Sequence, residues 1–122
     1  MKITELRPML WTEDFPGTID FYTEKLGFEC VERLDEYPWA SLRHGDTAIM
    51  FASPNSHEPY DKIGLTGSLY FNVEDVDACW AQLKDKARVC YDIETFPWGM
   101  REFALYDNNG YILQFGQEIK GE

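Results

Sequence analysis

The residue types that most often bind metals or act as nucleophiles are few in this chain. It contains two histidines, His44 and His57, and three cysteines, Cys30, Cys79 and Cys90. No two cysteines form a C-x-x-C pair, and both histidines fall in predicted turns. These residues therefore predict neither a zinc site nor a thiol redox site, and any chemistry has to come from carboxylates, guanidinium groups and aromatic rings.

The charge balance narrows the classes of partner. The chain carries a formal net charge of −11 at pH 7, whereas a nucleic-acid-binding surface needs clustered Lys and Arg. The acidic excess serves solubility or attracts a cationic ligand, and the charge alone favours solubility. No apolar run approaches the ~20 residues that cross a membrane, and the N-terminus lacks a secretory h-region. We therefore expect no nucleic-acid partner, no membrane partner and a cytoplasmic location.

Self-similarity divides the chain into two halves that must position these groups. Residues 3–53 and residues 67–118 each predict a strand, an amphipathic helix and three further strands, the last closed by a tight hairpin. The turn-rich residues 53–66 form the predicted linker. We therefore predict a single domain over all 122 residues, built from two βαβββ modules at 1–57 and 58–122.

Hydrophobic periodicity gives the bounds of the elements. The first helix is predicted from Phe15 to Leu26, after cap-type side chains and before the stop signal Gly27. The second helix, from Asp75 to Lys86, has the cleanest helical period in the chain. The predicted strands are 3–11, 28–34, 39–43 and 46–52 in the first half, and 68–73, 89–95, 100–106 and 111–117 in the second.

Two segments resemble the signatures of the vicinal oxygen chelate superfamily, which contains glyoxalases, extradiol dioxygenases, fosfomycin-resistance enzymes and bleomycin-resistance proteins. Residues 19–28, IDFYTEKLGF, are similar to its first-half signature. Residues 107–115, DNNGYILQF, stand where the family carries Asp-Pro-Asp-Gly and a last strand. The resemblance covers nearly the whole chain. It implies an α+β fold in which two βαβββ modules form curled mixed sheets around a cavity, completed in a homodimer.

Enzymes of this superfamily commonly hold a divalent metal through the first and last strands of each half. The resemblance places Arg7, Met50, Ser68 and Gln114 at those four positions. Catalytic metals use His, Asp, Glu or Cys, with only an occasional Gln, and a guanidinium has no lone pair to donate. We therefore expect no metal and no other cofactor. Arg7 instead favours an anionic partner, such as a salt bridge with Glu5.

Strand alternation predicts which side chains face the cavity that the resemblance implies. This set is aromatic and amphipathic, which suits a flat, partly polar organic molecule. Two tryptophans beside loops join it as stacking surfaces, although Trp39 is equally a core or interface candidate. The predicted ligand-binding residues are Arg7, Met9, Trp11, Trp39, Met50, Ser68, Tyr70, Trp98 and Gln114. No catalytic residue is predicted.

The resemblance implies two competing functions. The chain most resembles the metal-free bleomycin-resistance proteins, which sequester a drug without changing it, and this implies a small aromatic or cationic organic ligand and a role in antibiotic resistance. The alternative is a glyoxalase-like or other lyase, either metal-dependent or metal-independent. A dimeric interaction module without a small ligand is a third interpretation. Metal analysis of the purified protein separates the first two.

Overall fold

The computed structural model describes residues 1–54 and 62–119. It divides into two compact units, Met1–Ile63 and Gly64–Glu122. The module boundary expected after residue 57, and His57 itself, lie outside the described residues. Each unit contains a strand, a helix and three further strands that form one four-stranded sheet. The predicted βαβββ arrangement is thus confirmed in both halves.

The first unit builds a mixed sheet with the strand order β1-β4-β3-β2. β1 runs parallel to β4, and the other pairs are antiparallel. The Asp14 carboxylate accepts a hydrogen bond from the Gly17 N–H at 3.1 Å and so caps the helix. The elements are β1 (Met9–Trp11), α1 (Phe15–Asp20) continued by a π-helical turn (Phe21–Lys25), β2 (Glu29–Leu34), β3 (Trp39–His44) and β4 (Thr47–Ala52).

The second unit repeats this topology with the strand order β5-β8-β7-β6. β5 is parallel to β8, and the remaining pairs are antiparallel. The Asp75 carboxylate accepts from the Ala78 N–H at 3.1 Å, which caps the second helix in the same way as the first. The elements are β5 (Leu69–Asn72), α2 (Val76–Leu83), β6 (Val89–Thr95), β7 (Met100–Tyr106) and β8 (Ile112–Glu118).

Each helix packs on one face of its own sheet, and aromatic side chains form the core there. In the first unit the rings of Tyr22 and Phe51 lie 4.8 Å apart, and both side chains are fully buried. In the second unit Trp80 lies 5.1 Å from Phe103, which stacks on Phe115 at 5.0 Å. The opposite face of each sheet, which we call the helix-free face, carries the side chains that alternate with this core.

The first strand is shorter than the sequence predicts. The prediction of a strand over 3–11 is wrong for its first six residues, because β1 begins only at Met9. Pro8 explains the limit: it has no N–H for the sheet, and its carbonyl accepts the last ladder-like bond from the Met50 N–H at 2.8 Å. The second helix is also shorter, since Asp75 serves as its cap and the helix ends at Leu83.

No helix within the described ranges is both long and apolar enough to cross a membrane.

Candidate functional site

The helix-free face of the second sheet gathers polar and aromatic side chains in two adjacent rows. The strand register, rather than proximity in sequence, brings the members of each row together. The first row contains Tyr70, Gln114, Ala104 and Tyr91, and the second contains Asn72, Gly116, Glu102 and Glu94.

A buried carboxylate lies at the centre of these rows. Glu102 is only 4% exposed, and its Oε1 accepts a hydrogen bond from the Tyr70 hydroxyl at 3.2 Å. Its Oε2 accepts from the Tyr91 hydroxyl and from the Gln114 amide, the latter at 3.3 Å. The same amide donates to the Tyr91 hydroxyl at 2.9 Å, and the Ser68 hydroxyl donates to the Gln114 carbonyl oxygen. We call these five residues the Glu102 network.

The two phenols of the network are neutral hydrogen-bond donors. Burial, reinforced by the hydrogen bond to Glu102, raises the pKa of Tyr91 to about 12. Burial and then the negative charge of Glu102 raise the pKa of Tyr70 above its ordinary value. Both hydroxyls therefore keep their protons at neutral pH. They are suited to hold a carboxylate or a ligand acceptor, and they are unsuited to act as phenolate bases.

Gly116 lets Tyr70 reach Glu102. A Cβ atom at position 116 would lie 1.9 Å from the Tyr70 hydroxyl oxygen and 2.6 Å from its Cζ. The Tyr70 ring therefore crosses the β8 backbone at a point where only glycine leaves room. Because Gly116 pairs with Glu102 in the sheet, this path delivers the hydroxyl to the carboxylate.

An aromatic row extends the network towards solvent. The Tyr91 ring contacts Phe96 edge to face, with centroids 5.9 Å apart. Phe96 in turn stacks on Trp98 at 4.7 Å with an interplanar angle of 9°. Trp98 lies in the turn between β6 and β7 and is 67% exposed. The aromatic row (Tyr91, Phe96 and Trp98) thus ends in an exposed indole that a flat molecule can cover.

The helix-free face of the first sheet is also aromatic and sulfur-rich. Trp11 and Trp39 flank Ala52 on adjacent strands, and both indoles are half-buried. Met9 of β1 pairs with Met50 of β4, two residues before the pair Trp11 and Ala52. Four of the predicted ligand-binding side chains are therefore neighbours in register on one surface.

Arg7 lies next to this surface in a cluster of charges. Its guanidinium donates to the Ser41 hydroxyl at 3.2 Å and lies 3.6 Å from the Glu5 carboxylate. Glu5 also accepts a hydrogen bond from Arg43 at 3.1 Å. The predicted salt bridge between Arg7 and Glu5 is confirmed, and two guanidinium groups share that single carboxylate.

The residues at the four family metal positions do not fit a divalent catalytic metal. Arg7 is a cation with no lone pair to donate, and Met50 offers only a soft thioether. Ser68 and Gln114 are hydrogen-bonded to each other. Across residues 1–54 and 62–119, no group of three or more His, Cys, Asp or Glu residues is arranged to hold a metal ion. The donor set therefore supports no step through a metal.

The sequence-predicted residues divide between the two sheets. Ser68, Tyr70 and Gln114 meet in the Glu102 network, and Trp98 joins them through the aromatic row. The other five, on or beside the first sheet, are Arg7, Met9, Trp11, Trp39 and Met50. Sequence reasoning missed Tyr91 and Phe96, and Glu102 is not among the ligand-binding residues that it predicts.

Comparisons with known proteins agree with this architecture. The model of the Glyoxalase/Bleomycin resistance protein/Dioxygenase superfamily matches residues 6–115. Comparison with curated proteins gives no match. A glyoxalase/bleomycin resistance protein/dioxygenase from Nocardioides has a TM-score of 0.81 at 16% identity, covering 100% of this chain and 87% of its own.

Two further solved structures carry different functional descriptions. TnmS3, an antibiotic binding protein from Streptomyces sp. CB03234, has a TM-score of 0.78 at 23% identity and covers 97% of this chain and 98% of its own. A lactoylglutathione lyase from Agrobacterium tumefaciens has a TM-score of 0.72 at 18% identity, with coverages of 93% and 92%. At these identities the likeness shows a shared fold, while the named activities differ.

Proposed function

Since the chain belongs to the glyoxalase/bleomycin resistance protein/dioxygenase superfamily, we propose that it binds a small, flat organic molecule without a metal and releases it chemically unchanged. The observation that carries this proposal is the aromatic row, which runs from the Glu102 network to the exposed indole of Trp98. A stacking surface beside fixed hydrogen-bonding groups is the arrangement that orients a planar ligand. Sequestration of an antibiotic is the biological role that this proposal favours.

The chemistry of the side chains favours binding over catalysis. The residues at the metal positions are poor ligands for a catalytic ion. Both phenols of the Glu102 network stay protonated, and the Glu102 carboxylate already accepts three hydrogen bonds. The likeness to an antibiotic binding protein is a further support.

Trp98 is the side chain expected to contribute most to affinity. One face of its indole stacks on Phe96 at 4.7 Å, and two thirds of the residue is exposed. A planar ligand on this indole buries apolar area and adds an aromatic contact of about 0.5–1.5 kcal/mol beyond that burial. The support from Phe96 holds the indole in place, so little side-chain entropy is lost on binding.

The test is a thermal-shift screen of planar antibiotics and aromatic metabolites, followed by calorimetry of the hits on Trp98→Ala. We expect the variant to fold normally and to bind the hits about 10-fold more weakly, as the loss of a stacking tryptophan implies. Tyr37→Ala is the matched control, because Tyr37 is an equally exposed aromatic residue, at 76%, in the first unit. Unchanged affinity in Trp98→Ala would remove the aromatic row from the site.

The likeness to a lactoylglutathione lyase makes a glyoxalase-like lyase the second candidate. Metal analysis of protein purified without chelator, together with an assay for S-lactoylglutathione, distinguishes it from the first. Stoichiometric Ni, Zn, Mn or Fe, or turnover above background, would overturn the metal-free binding proposal. The proposal expects neither, and it expects no chemical change in a recovered ligand.

A further inference from the structure

The Glu102 network compensates a buried negative charge with neutral donors. Glu102 is 96% buried, and the groups that donate to it are two phenols and one amide. Among residues 1–54 and 62–119, no Lys, Arg or His lies within salt-bridge distance of this carboxylate. A buried carboxylate is costly unless it is hydrogen-bonded and paired with a cation. Within the described part of the chain, the Glu102 carboxylate has the hydrogen bonds but not the cation, and a positively charged ligand would supply that cation.

One oxygen of Glu102 retains room for a further donor. A carboxylate offers about four lone-pair positions. Oε2 accepts two hydrogen bonds, from Tyr91 and Gln114, whereas Oε1 accepts a single bond from Tyr70 at 3.2 Å. Tyr70, the donor of that single bond, is 40% exposed. An incoming N–H group would reach Oε1 once this ring had turned aside.

We propose that Glu102 is the receptor for a cationic nitrogen, such as a primary ammonium or an amidinium, carried by the aromatic ligand. The inference rests on the proposed function and names the ligand class of that same site. The neighbouring charges agree with it. Glu94 is the cross-strand partner of Glu102 on β6, and Glu118 lies on β8 two residues beyond Gly116, the other partner of Glu102. Both add to a negative field that attracts a cation and repels an anion.

Two fluorescent probes with the same rings test the inference. 1-Pyrenemethylamine carries an ammonium group, and 1-pyrenemethanol carries a neutral hydrogen-bond donor at the same place. We expect the wild-type protein to bind the amine about 10- to 100-fold more tightly than the alcohol, as for hydrogen bonds to a charged group. Glu102→Gln is expected to abolish this preference, because it removes the charge that distinguishes the ammonium from the hydroxyl.

Glu94→Gln is the matched control, because it removes the same charge from the register partner of Glu102 at an exposed position. It should retain most of the preference for the amine, since the field of an exposed carboxylate is partly screened by water and salt. A preference that survives in Glu102→Gln, or one that is lost equally in Glu94→Gln, would overturn the assignment of Glu102.

A second variant keeps the test decisive if Glu102→Gln fails to fold. Tyr70→Phe retains the ring and removes the one donor to Oε1 found in the part of the chain that the structure describes. The preference for the amine should therefore rise severalfold, and an unchanged or lower preference would contradict the inference. The wild-type protein separates the two proposals. Binding of the alcohol without any preference for the amine overturns the cation receptor alone. Failure of both probes to bind overturns the stacking site and the receptor together.

Discussion

Gly116→Ala tests whether the close approach at β8 is what holds Tyr70 against Glu102. The new Cβ would lie 1.9 Å from the Tyr70 hydroxyl oxygen, far closer than two non-bonded atoms can approach. Gly116 is not among the glycines with positive φ, so the backbone accepts alanine without strain. The Tyr70 side chain must therefore move, and the hydrogen bond to Oε1 of Glu102 is lost.

The expected change in the free energy of unfolding is small, because two effects oppose each other. The lost hydrogen bond to a charged group is worth about 1.5–3 kcal/mol, at the lower end here because Tyr70 is 40% exposed. Replacing glycine by alanine inside a strand returns about 0.5–1 kcal/mol. The net destabilisation is therefore about 1 kcal/mol.

Urea unfolding combined with an ultraviolet titration of the phenols measures both consequences. The pKa of Tyr70 is raised by burial and by the charge of Glu102. It should fall towards its ordinary value once Gly116→Ala displaces the ring. Tyr70→Phe should destabilise the wild-type protein but have almost no further effect in Gly116→Ala, because the same hydrogen bond cannot be lost twice.

Gly64→Ala provides the control, since a Cβ at position 64 has no atom of residues 1–54 or 62–119 within 4 Å, and Gly64 also lacks a positive φ. It should leave the Tyr70 titration unchanged. An unchanged pKa of Tyr70 in Gly116→Ala, or additive destabilisation by Gly116→Ala and Tyr70→Phe, would show that Gly116 does not hold Tyr70 against Glu102.

Three further predictions concern single side chains, and one concerns assembly. The stability that Tyr91 contributes over Tyr91→Phe should decrease as the pH rises from 10 to 12. Tyr91 ionises near its ordinary pKa of 10.0 in the unfolded chain but only at about 12 in the folded protein. A difference in unfolding free energy that stays constant in urea across this range contradicts the prediction. Asp75→Ala should cost about 1 kcal/mol by loss of the helix cap, and Asp75→Asn much less. Arg7→Ala should cost under about 1 kcal/mol, because its ion pair is exposed; a larger loss would indicate a buried role. Light scattering should give the mass of a homodimer, and a monomer would contradict that prediction.

The two sheets could be predicted from sequence because their signals are local and repeated. The helical period from Val76 to Leu83 and the alternation in β8 each specify an element without knowledge of its neighbours. The bounds of β6 and β7 are those that the sequence predicts. β1 was less predictable, because the residues before Pro8 have strand-like composition but no place in the ladder.

The Glu102 network depends on register, which the sequence does not specify. β6 departs from regular pairing between Val89 and Tyr91 and again between Tyr91 and Glu94. Each irregularity shifts the alternation, so the face occupied by Tyr91 cannot be extrapolated along the strand. Gly116 was the available signal, since a glycine inside a strand marks a close approach. The resemblance predicted four positions related by the repeat, the family metal positions. Of these only Ser68 and Gln114 lie in the Glu102 network.

The asymmetry between the two halves bears directly on function. The first sheet carries two cations beside it, Arg7 and Arg43, that share Glu5, whereas the second holds the buried anion Glu102 among neutral donors. A symmetric metal centre requires matching ligands from both halves, and these charges do not match. The repeat therefore conserves the frame while each sheet has its own chemistry. That difference is why we propose, for the second sheet, a ligand with distinct aromatic and cationic parts rather than a metal ion.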